Sequence, residues 1–196
     1  TDIDLLVLAT VTPEISCPSN ACDLQRRMGA VNAAAFDLNA ACSGFVYAST
    51  VAASLIAAGV NQRARVIGAA QLHWVIDYHD RNTCVLFGDG AGAAVLEVAT
   101  DGTGMLGADL GADGVAGSTM VFESLGTRVP LGDGRDPATS KLHFEGQAVF
   151  KIAVRGIAES VSRALDRAGV DVSDVHLVVP HQANDRIIRA AAKRLD

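Results

Sequence analysis

The chain contains 196 residues, which is enough for one good-sized domain or for part of a larger one. Hydrophobic residues make up 49% and charged residues 19% of it, with 19 glycines and 5 prolines, which excludes a disordered, collagen-like or linker-dominated protein. The net charge of −6 gives no overall positive field that would attract phosphates, so we expect no nucleic-acid partner.

Strand and helix patterns alternate through the first part of the chain. A continuous apolar run over residues 3–9 predicts a strand that is covered on both faces. A loop with two prolines follows over residues 10–20, and Asn20 is placed to cap the next helix. The further predicted elements are a short helix over residues 21–28, a strand over 33–38, a long alanine-rich helix over 43–58 and a strand over 65–70.

The later part of the chain predicts longer loops between its elements. The predicted strands cover residues 93–98, residues near 105–110 and residues 175–179, and the predicted helices cover residues 146–168 and 185–195. Between them we expect a loop over residues 71–84, a glycine-rich turn over 88–92 and a long loop over 111–140. The acidic start and apolar run of residues 2–7 are echoed by residues 174–179. Such an echo suits a fold built from two similar halves.

Cysteine usage and the first residues of the chain bear on its location. The four cysteines are too sparse for a disulfide scaffold and lack metal-site spacing, which favours a reducing cytoplasm. No basic and apolar signal segment opens the chain, and the uncharged residues 38–62 are too weakly apolar for lipid. We therefore expect a cytoplasmic protein without a membrane partner.

Cys42 lies between a predicted strand and the start of the long predicted helix. Free backbone N–H groups and the positive end of the helix dipole favour a thiolate there, so we expect a lowered thiol pKa and a nucleophilic sulfur. The small neighbours Ala40, Ala41 and Gly44 would let a substrate carbonyl approach a backbone N–H that stabilises an oxyanion. The alternative is a buried structural cysteine.

His181 also follows a predicted strand and precedes a predicted helix. Two such turns from two halves of one fold could face each other across a pocket, which would bring this imidazole near the Cys42 thiol. The alternative is a surface histidine at a helix start. The other histidines lack comparable framing, and no HxxxH or HExxH spacing occurs, so we predict no metal site.

Four sequence runs, spread over nearly the whole chain, carry a family resemblance. They are NAACSGF (residues 39–45), FGDGAGAAVL (87–96), GQAVFK (146–151) and PHQAN (180–184). In this order they resemble the β-ketoacyl-ACP synthase III family, condensing enzymes of the thiolase superfamily. One run alone would be a weak signal, whereas four in the family order are specific.

The resemblance implies an α/β fold in which duplicated thiolase-like βαβ halves form a layered α-β-α-β-α arrangement, incomplete here at both ends. Residues 1–100 would be the C-terminal part of the first half and carry the nucleophilic cysteine. Residues 101–196 would be the N-terminal part of the second half and carry the catalytic histidine. Cys42 would accept the acyl group, His181 would stabilise charge during decarboxylation, and Asn184 would be a supporting polar residue.

The resemblance also implies residues that bind the substrates. They are Arg81 for the adenine end of coenzyme A, Gly146 and Gln147 for the pantetheine tunnel, Phe87 and Phe150 for the walls of the tunnel or acyl pocket, and Cys17 for the acyl pocket of the partner subunit.

The last predicted helix carries a row of cations. Arg186, Arg189 and Lys193 recur at i, i+3 and i+7, which places them on one helical face beside the His181 turn. We expect this face to dock an acidic acyl carrier protein. The alternative is an ordinary solvated face.

The implied reaction is a decarboxylative Claisen condensation of an acyl-CoA primer with malonyl-ACP through an acyl-cysteine, which initiates fatty acid or polyketide synthesis. It needs no cofactor, and the family pattern implies a homodimer. Two alternatives stay open: a related Cys-His acyltransferase of secondary metabolism, and a non-catalytic condensing-like partner that binds the carrier protein. The family's third catalytic residue lies in a downstream His-Gly-Asn motif, which these residues do not contain. We therefore expect an internal fragment of a longer enzyme.

Overall fold

The computed structural model of the chain describes residues 2–122 and 142–195. The chain divides into two compact units, one of residues 1–71 and 89–105 and the other of residues 72–88 and 106–196. Within the described residues, no helix has both the length and the apolar character needed to cross a bilayer. The first unit carries a mixed sheet, and the second is mainly helical.

The first unit is a four-stranded sheet with a helix on each face. Its elements in chain order are β1 (Leu5–Ala9), α1 (Asn20–Arg27), β2 (Ala34–Leu38), α2 (Gly44–Ala57), β3 (Arg63–Ala70) and β4 (Gly90–Glu97). The strand order is β2-β1-β3-β4, in which β1 runs parallel to β2 and β3, and β4 runs antiparallel to β3. The loops that follow β1, β2 and β3 therefore emerge at the same edge of the sheet.

The central strand β1 is buried along its whole length, and none of its residues is more than 6% exposed. Leu5, Val7 and Ala9 pack in the cluster on the α2 face, while Leu6 and Leu8 pack in the cluster on the α1 face. Each large side chain that leaves water contributes roughly 1.5–3 kcal/mol. The predicted strand with two covered faces is confirmed.

Helix α2 approaches the sheet closely at its first residue. Gly44 is buried, and a Cβ built on it would lie 3.0 Å from Ala9 Cβ. A Cβ built on Gly68 in β3 would lie 3.4 Å from a ring carbon of Phe45. The glycine at position 44 therefore lets the start of α2, and the turn that carries Cys42, pack against β1.

The second unit is built around a long helix. Its elements are β5 (Met120–Val121) and β6 (His143–Phe144), which pair antiparallel, α3 (Gly146–Ala168) and α4 (Asp185–Ala192). α3 packs against α4, and Val154, Ala158, Ile187 and Ala191 are the buried residues of the two helices. α3 ends at Gly169, whose φ of +65° is the left-handed conformation that glycine adopts readily. The helix predicted over residues 146–168 is confirmed.

A buried carboxylate ties the chain before β5 to α3. The Asp109 side chain is 4% exposed, and its Oδ2 accepts hydrogen bonds from Ser160 Oγ at 2.7 Å and Arg163 Nε at 3.0 Å. Arg167 Nη2 lies 3.2 Å from Oδ1. These partners hold the pKa of Asp109 below its usual value, chiefly through the hydrogen bond from Arg163. The segment around Asp109 is thereby anchored to the helix.

Two of the predicted strands do not form. Residues 105–110 and 175–179 are irregular, and neither segment pairs with another strand within the part of the chain that the structure describes. A strand needs a neighbour to bond its N–H and C=O groups, and an apolar run does not by itself supply one. Leu177 and Val179 are accordingly 78% and 80% exposed, whereas Leu5 and Val7 at the matching positions of β1 are buried.

Three smaller expectations also change. Asn20 is the first residue of α1, and Ser19 holds the cap position before it. β4 begins at Gly90, inside the predicted glycine-rich turn, because its ladder with β3 extends to the pair of Gly90 with Ala70. Within the predicted loop over residues 111–140, a 3-10 turn over Ala116–Thr119 leads into β5, and residues 123–141 lie outside the described residues.

Candidate active site

Cys42 lies in a tight turn between β2 and α2. Asn39 Oδ1 accepts a hydrogen bond from Ala41 N at 3.2 Å, and a short 3-10 turn over Ala41–Ser43 leads into α2. The prediction of a cysteine in a strand-to-helix turn is confirmed. The turn stands at the sheet edge from which the loops after β1 and β3 also emerge.

The backbone just before Cys42 has an unusual conformation. Ala41 has a φ of +47°, in the left-handed region that is uncommon for a residue with a Cβ. Such a conformation costs on the order of 1–3 kcal/mol and persists where the surrounding structure fixes it. The hydrogen bond from Ala41 N to Asn39 and the packing of Gly44 on Ala9 lie on either side of this residue. Together they set the direction in which the Cys42 side chain leaves the turn.

The surroundings of Cys42 raise the pKa of its thiol, whereas the sequence predicted a lowered pKa. Burial raises the pKa of the thiol above its usual value, and a hydrogen bond from the residue's own backbone N–H lowers it by less. The residue still has a solvent-exposed surface, so the desolvation comes from protein atoms packed on part of the side chain. The prediction of a lowered pKa is wrong, because partial burial of the side chain disfavours the charged thiolate.

His181 lies in the second unit, on an irregular segment that precedes α4, and its side chain is exposed. Gln182 Nε2 donates to the Pro180 carbonyl oxygen at 3.1 Å. Asn184 Oδ1 accepts a hydrogen bond from Arg186 N at 2.9 Å and so caps α4. The predicted connection into a helix is confirmed, and Asn184 fixes the start of that helix three residues after His181.

Helix α4 has one buried and one charged side. Ile187 is buried, while Arg186, Arg189 and Lys193 are exposed. Arg189 Nε bonds Asp185 Oδ2 at 2.7 Å. Neither Arg186 nor Lys193 forms an ion pair within residues 2–122 and 142–195. Carrier-protein docking on this face stays a prediction.

An aromatic pair lies beside the start of α3. The rings of Phe87 and Phe144 meet edge to face, with centroids 5.7 Å apart and planes at 88°. A Cβ built on Gly146 would lie 3.3 Å from Phe144 Cε1, so the glycine leaves room for this ring. Phe150 is half-buried one turn further along α3. Phe144, which sequence patterns did not single out, therefore joins the candidate wall residue Phe87 to Gly146.

The two remaining substrate-binding candidates of the second unit are exposed. Arg81 follows Asp80, whose carboxylate accepts hydrogen bonds from Asn82 N and Thr83 Oγ1, both at 2.9 Å. Gln147 is exposed in the first turn of α3. The turn held by Asp80 fixes the backbone at Arg81, and the binding roles of Arg81 and Gln147 stay predictions.

Cys17 is exposed on the loop between β1 and α1, and this loop is held by a network that the sequence analysis missed. Asp37 in β2 accepts hydrogen bonds from Asn20 N at 2.8 Å, Asn20 Nδ2 at 3.1 Å and Ala21 N at 2.7 Å. The available signal was a single aspartate inside an otherwise apolar strand.

The candidate residues fall into two groups. Cys17 and Cys42 belong to the first unit, and the other candidates, including His181 and Asn184, belong to the second. Across the described ranges, no group of three or more His, Cys, Asp or Glu side chains is arranged to hold a metal ion.

Two family models match the chain: 3-oxoacyl-[acyl-carrier-protein (ACP)] synthase III over residues 36–114, and the C-terminal model of the same enzyme over residues 165–196. A curated relative, the β-ketoacyl-[acyl-carrier-protein] synthase III of Caldanaerobacter subterraneus subsp. tengcongensis, is 45% identical over an alignment of 197 positions that covers 99% of this chain. The chain spans about 59% of the length of that relative.

Solved structures share the fold along nearly the entire chain. The β-ketoacyl-[acyl carrier protein] synthase III from Thermus thermophilus superposes with a TM-score of 0.90 at 40% identity, over 99% of this chain and 59% of that one. The priming β-ketosynthase from the R1128 polyketide biosynthetic pathway gives a TM-score of 0.87 at 35% identity, over 99% and 57%. The predicted thiolase-like α/β fold is confirmed. Because both family models match in order and the fold is shared throughout, the chain belongs to the 3-oxoacyl-[acyl-carrier-protein] synthase III family.

Proposed function

We propose that the protein of family length that contains this chain, called the full-length protein below, is a condensing acyltransferase. It would join an acyl-CoA primer to malonyl-ACP through an acyl-cysteine at Cys42 and so initiate fatty acid or polyketide synthesis. The observation that carries the proposal is the Cys42 turn, a thiol at the start of a helix and at the carboxyl edge of parallel strands. The names of the relatives, a β-ketoacyl-ACP synthase III and a priming β-ketosynthase, support it.

The chemistry proceeds in two half-reactions. In the first, the Cys42 thiolate attacks the thioester carbonyl of acyl-CoA, the bond to coenzyme A breaks, and coenzyme A leaves as a thiol after taking up the proton that Cys42 lost. In the second, malonyl-ACP loses its carboxylate as carbon dioxide, and the electron pair left on carbon attacks the acyl carbonyl. The bond to Cys42 then breaks and the thiolate is regenerated. Negative charge develops on a thioester oxygen in both halves, so each half needs hydrogen-bond donors.

Stabilisation of the negative charge that develops in the second half-reaction is assigned to His181, with Asn184 as a supporting polar residue. An exposed imidazole on the segment that leads into α4 is accessible to a thioester oxygen. One observation favours a second candidate function. The raised pKa of Cys42 calls for a base to remove its proton, as in a Cys-His acyltransferase that acylates a hydroxyl or an amine.

The other candidate residues would bind the substrates. Arg81 would contact the adenine end of coenzyme A, and Gly146 with Gln147 would line the path of the pantetheine. The contact of Phe144 with both Phe87 and Gly146 supports a shared wall at this point. The further assignments are Phe150 to the same wall, Cys17 to the acyl pocket of the second subunit in a homodimer, and Arg186, Arg189 and Lys193 to the acyl carrier protein.

The wider assignments follow from the same proposal. The condensation uses acyl-CoA and malonyl-ACP as substrates and no cofactor, and it takes place in the cytoplasm without a nucleic-acid or membrane partner. Residues 1–100 are assigned to the C-terminal part of the first thiolase-like half, and residues 101–196 to the N-terminal part of the second half.

The first test is the site of the covalent intermediate. Intact mass spectrometry of the full-length protein after incubation with acetyl-CoA should show one acetyl adduct, because the Cys42 thiol stands in the short turn that leads directly from β2 into α2. The adduct should be absent in Cys42→Ala and present in the control variant Cys22→Ala, which removes another exposed thiol of the first unit. An adduct that persists in Cys42→Ala refutes the assignment.

The second test separates the candidate functions. Malonyl-ACP labelled in its free carboxyl group releases labelled carbon dioxide only if the enzyme condenses. Acyl transfer to a hydroxyl or amine without carbon dioxide release supports the Cys-His acyltransferase. Binding of the carrier protein without either reaction supports the non-catalytic partner.

A further inference from the structure

Asp80 precedes Arg81 in the chain, but its carboxylate bonds the two residues that follow Arg81. Its Oδ1 accepts hydrogen bonds from Asn82 N at 2.9 Å and Asn82 Nδ2 at 3.0 Å, and its Oδ2 accepts one from Thr83 Oγ1 at 2.9 Å. These bonds, chiefly the one from the Asn82 backbone, hold the pKa of Asp80 below its usual value. Both oxygens of a charged carboxylate are thus used within the turn.

Thr83 anchors this turn at a buried position, where it is 5% exposed. A buried hydroxyl needs a hydrogen-bond partner, and Thr83 Oγ1 donates to Asp80 Oδ2. The backbone closes the same turn, because the Asp80 carbonyl oxygen accepts hydrogen bonds from Thr83 N at 3.2 Å and Cys84 N at 3.0 Å. Arg81 therefore lies inside a turn whose two ends are joined through Asp80.

Arg81 is left without an anionic partner by this arrangement. Its side chain is exposed, and it forms no ion pair or side-chain hydrogen bond within residues 2–122 and 142–195. By contrast, Arg189 bonds the nearby Asp185 at 2.7 Å. A guanidinium that stands on a fixed backbone and is not neutralised by a carboxylate is suited to a phosphate, whose oxygens it can bond in pairs.

We propose that Asp80 and Thr83 are positioning residues that keep Arg81 unpaired and direct its guanidinium to a phosphate of coenzyme A. This inference rests on the proposed function, because it requires an acyl-CoA as the donor. The turn stores the one nearby carboxylate in bonds to Asn82 and Thr83, so Arg81 is free when the donor arrives. A thioester without phosphates gains nothing from Arg81, and the turn thus selects donors that carry the nucleotide.

The experiment uses variants of the full-length protein with two donors, acetyl-CoA and acetylpantetheine, which lacks the phosphates and the nucleoside. Thr83→Val removes the hydroxyl, Thr83→Ser retains it, and Asp80→Asn removes the charge but keeps the side-chain shape. Thr103→Val is the matched control, because Thr103 Oγ1 donates to Asp101 Oδ1 at 2.6 Å in a turn without an arginine. The rate of Cys42 acylation is measured against donor concentration, which gives a maximal rate and a half-saturating concentration for each donor.

Arg81→Ala should raise the half-saturating concentration of acetyl-CoA by about tenfold or more, the scale of one hydrogen bond to a charged group. Thr83→Val and Asp80→Asn should each raise it by about three- to tenfold, because the guanidinium remains but loses its fixed direction. Acylation by acetylpantetheine should keep its rate in all three variants. Thr83→Ser and Thr103→Val should match the unaltered protein with both donors.

Two further comparisons separate positioning from other effects. On charge alone, the loss of the negative Asp80 beside Arg81 would favour an anionic donor and lower the half-saturating concentration of acetyl-CoA. A rise in Asp80→Asn therefore reports positioning. The double variant Thr83→Val/Arg81→Ala should be no weaker than Arg81→Ala, since Thr83 acts through Arg81.

The inference is overturned, while the proposed function stands, if Thr83→Val and Asp80→Asn leave the half-saturating concentration of acetyl-CoA unchanged or lower it. Equal losses with acetylpantetheine also overturn it, because they show a general defect of the fold. If Thr83→Val does not fold, Asp80→Asn decides by the same criteria. If neither donor acylates Cys42 in the unaltered protein, the proposed function fails and the inference fails with it.

Discussion

Replacing Gly44 by alanine should displace the Cys42 turn and slow its acylation. A Cβ at position 44 would lie 3.0 Å from Ala9 Cβ, whereas carbon atoms in ordinary contact lie about 3.5–4.0 Å apart. One of the two elements must therefore move by about 0.5–1 Å. Ala9 is 6% exposed and sits in a strand paired on both sides, so the start of α2 is the part that moves.

Two opposing free-energy effects set the stability of Gly44→Ala. Alanine is favoured over glycine in a helix by up to about 1 kcal/mol, while overpacking a closed contact costs about 1–3 kcal/mol. We expect a net loss of about 1 kcal/mol in the free energy of unfolding. The rate of Cys42 acylation should fall further, by up to about 10²-fold, because a reacting group misplaced by about 1 Å loses that much.

The assay follows acetyl transfer from acetyl-CoA to Cys42 by rapid quenching and mass spectrometry, with denaturant unfolding in parallel. Gly92→Ala is the control, since a Cβ there meets nothing within 4 Å, and it should keep the rate. The double variant Ala9→Gly/Gly44→Ala moves the methyl group from the strand to the helix and should recover most of the rate. The reasoning is refuted if Gly44→Ala acylates at the unaltered rate, or if the double variant is no faster than the single one.

Three further predictions test Arg186, Asp109 and His181. Arg186→Glu should raise KM for malonyl-ACP and leave malonyl-CoA use unchanged, with the difference shrinking as salt is added; equal effects on both substrates would contradict docking on α4. In Asp109→Asn, the free energy of unfolding should fall less steeply as the pH is lowered. The folded-state pKa of Asp109 lies below the unfolded value of about 3.9, so its carboxylate stabilises the fold above that pH, and this contribution disappears as the pH falls through the folded-state pKa. Denaturant unfolding at a series of acidic pH values checks this, and an unchanged slope in Asp109→Asn would contradict it. His181→Ala should leave acetyl transfer to Cys42 largely intact while malonyl-ACP decarboxylation falls by about 10²–10³-fold; equal losses in both half-reactions would favour a base that activates the thiol.

The elements that could be predicted from the sequence are those fixed by local pattern. The run over residues 3–9 is apolar on both faces, and only a doubly covered strand satisfies it. The helix over residues 146–168 has an apolar stripe and a glycine stop, and α3 has the same bounds. The Cys42 turn was predictable for the same reason, because it lies between two such elements.

The strand predicted over residues 175–179 shows that a local sequence pattern does not predict strand pairing. Its residues match those of β1, but β1 has a strand on each side, and residues 175–179 have none within the described part of the chain. Pairing is a property of the neighbours, which the run itself does not encode. The network of Asp37 with Asn20 was missed for a similar reason, since it joins residues 17 positions apart whose approach depends on the pairing of β1 with β2.

At Cys42, a fixed position and an easily ionised thiol are two separate contributions to the rate of acylation. The close approach of Gly44 to Ala9 fixes the start of α2 directly after the turn, and burial raises the pKa of the Cys42 thiol. A raised pKa lowers the thiolate fraction at neutral pH, but the intrinsic nucleophilicity of a thiolate rises with its pKa with a Brønsted slope of about 0.4–0.5, so part of that loss in rate is recovered. Misplacing the sulfur by about 1 Å would cost up to about 10²-fold in rate, and nothing in the thiol's own chemistry recovers it. The fixed position of the turn is therefore a separate contribution to the rate, and this favours the glycine at position 44.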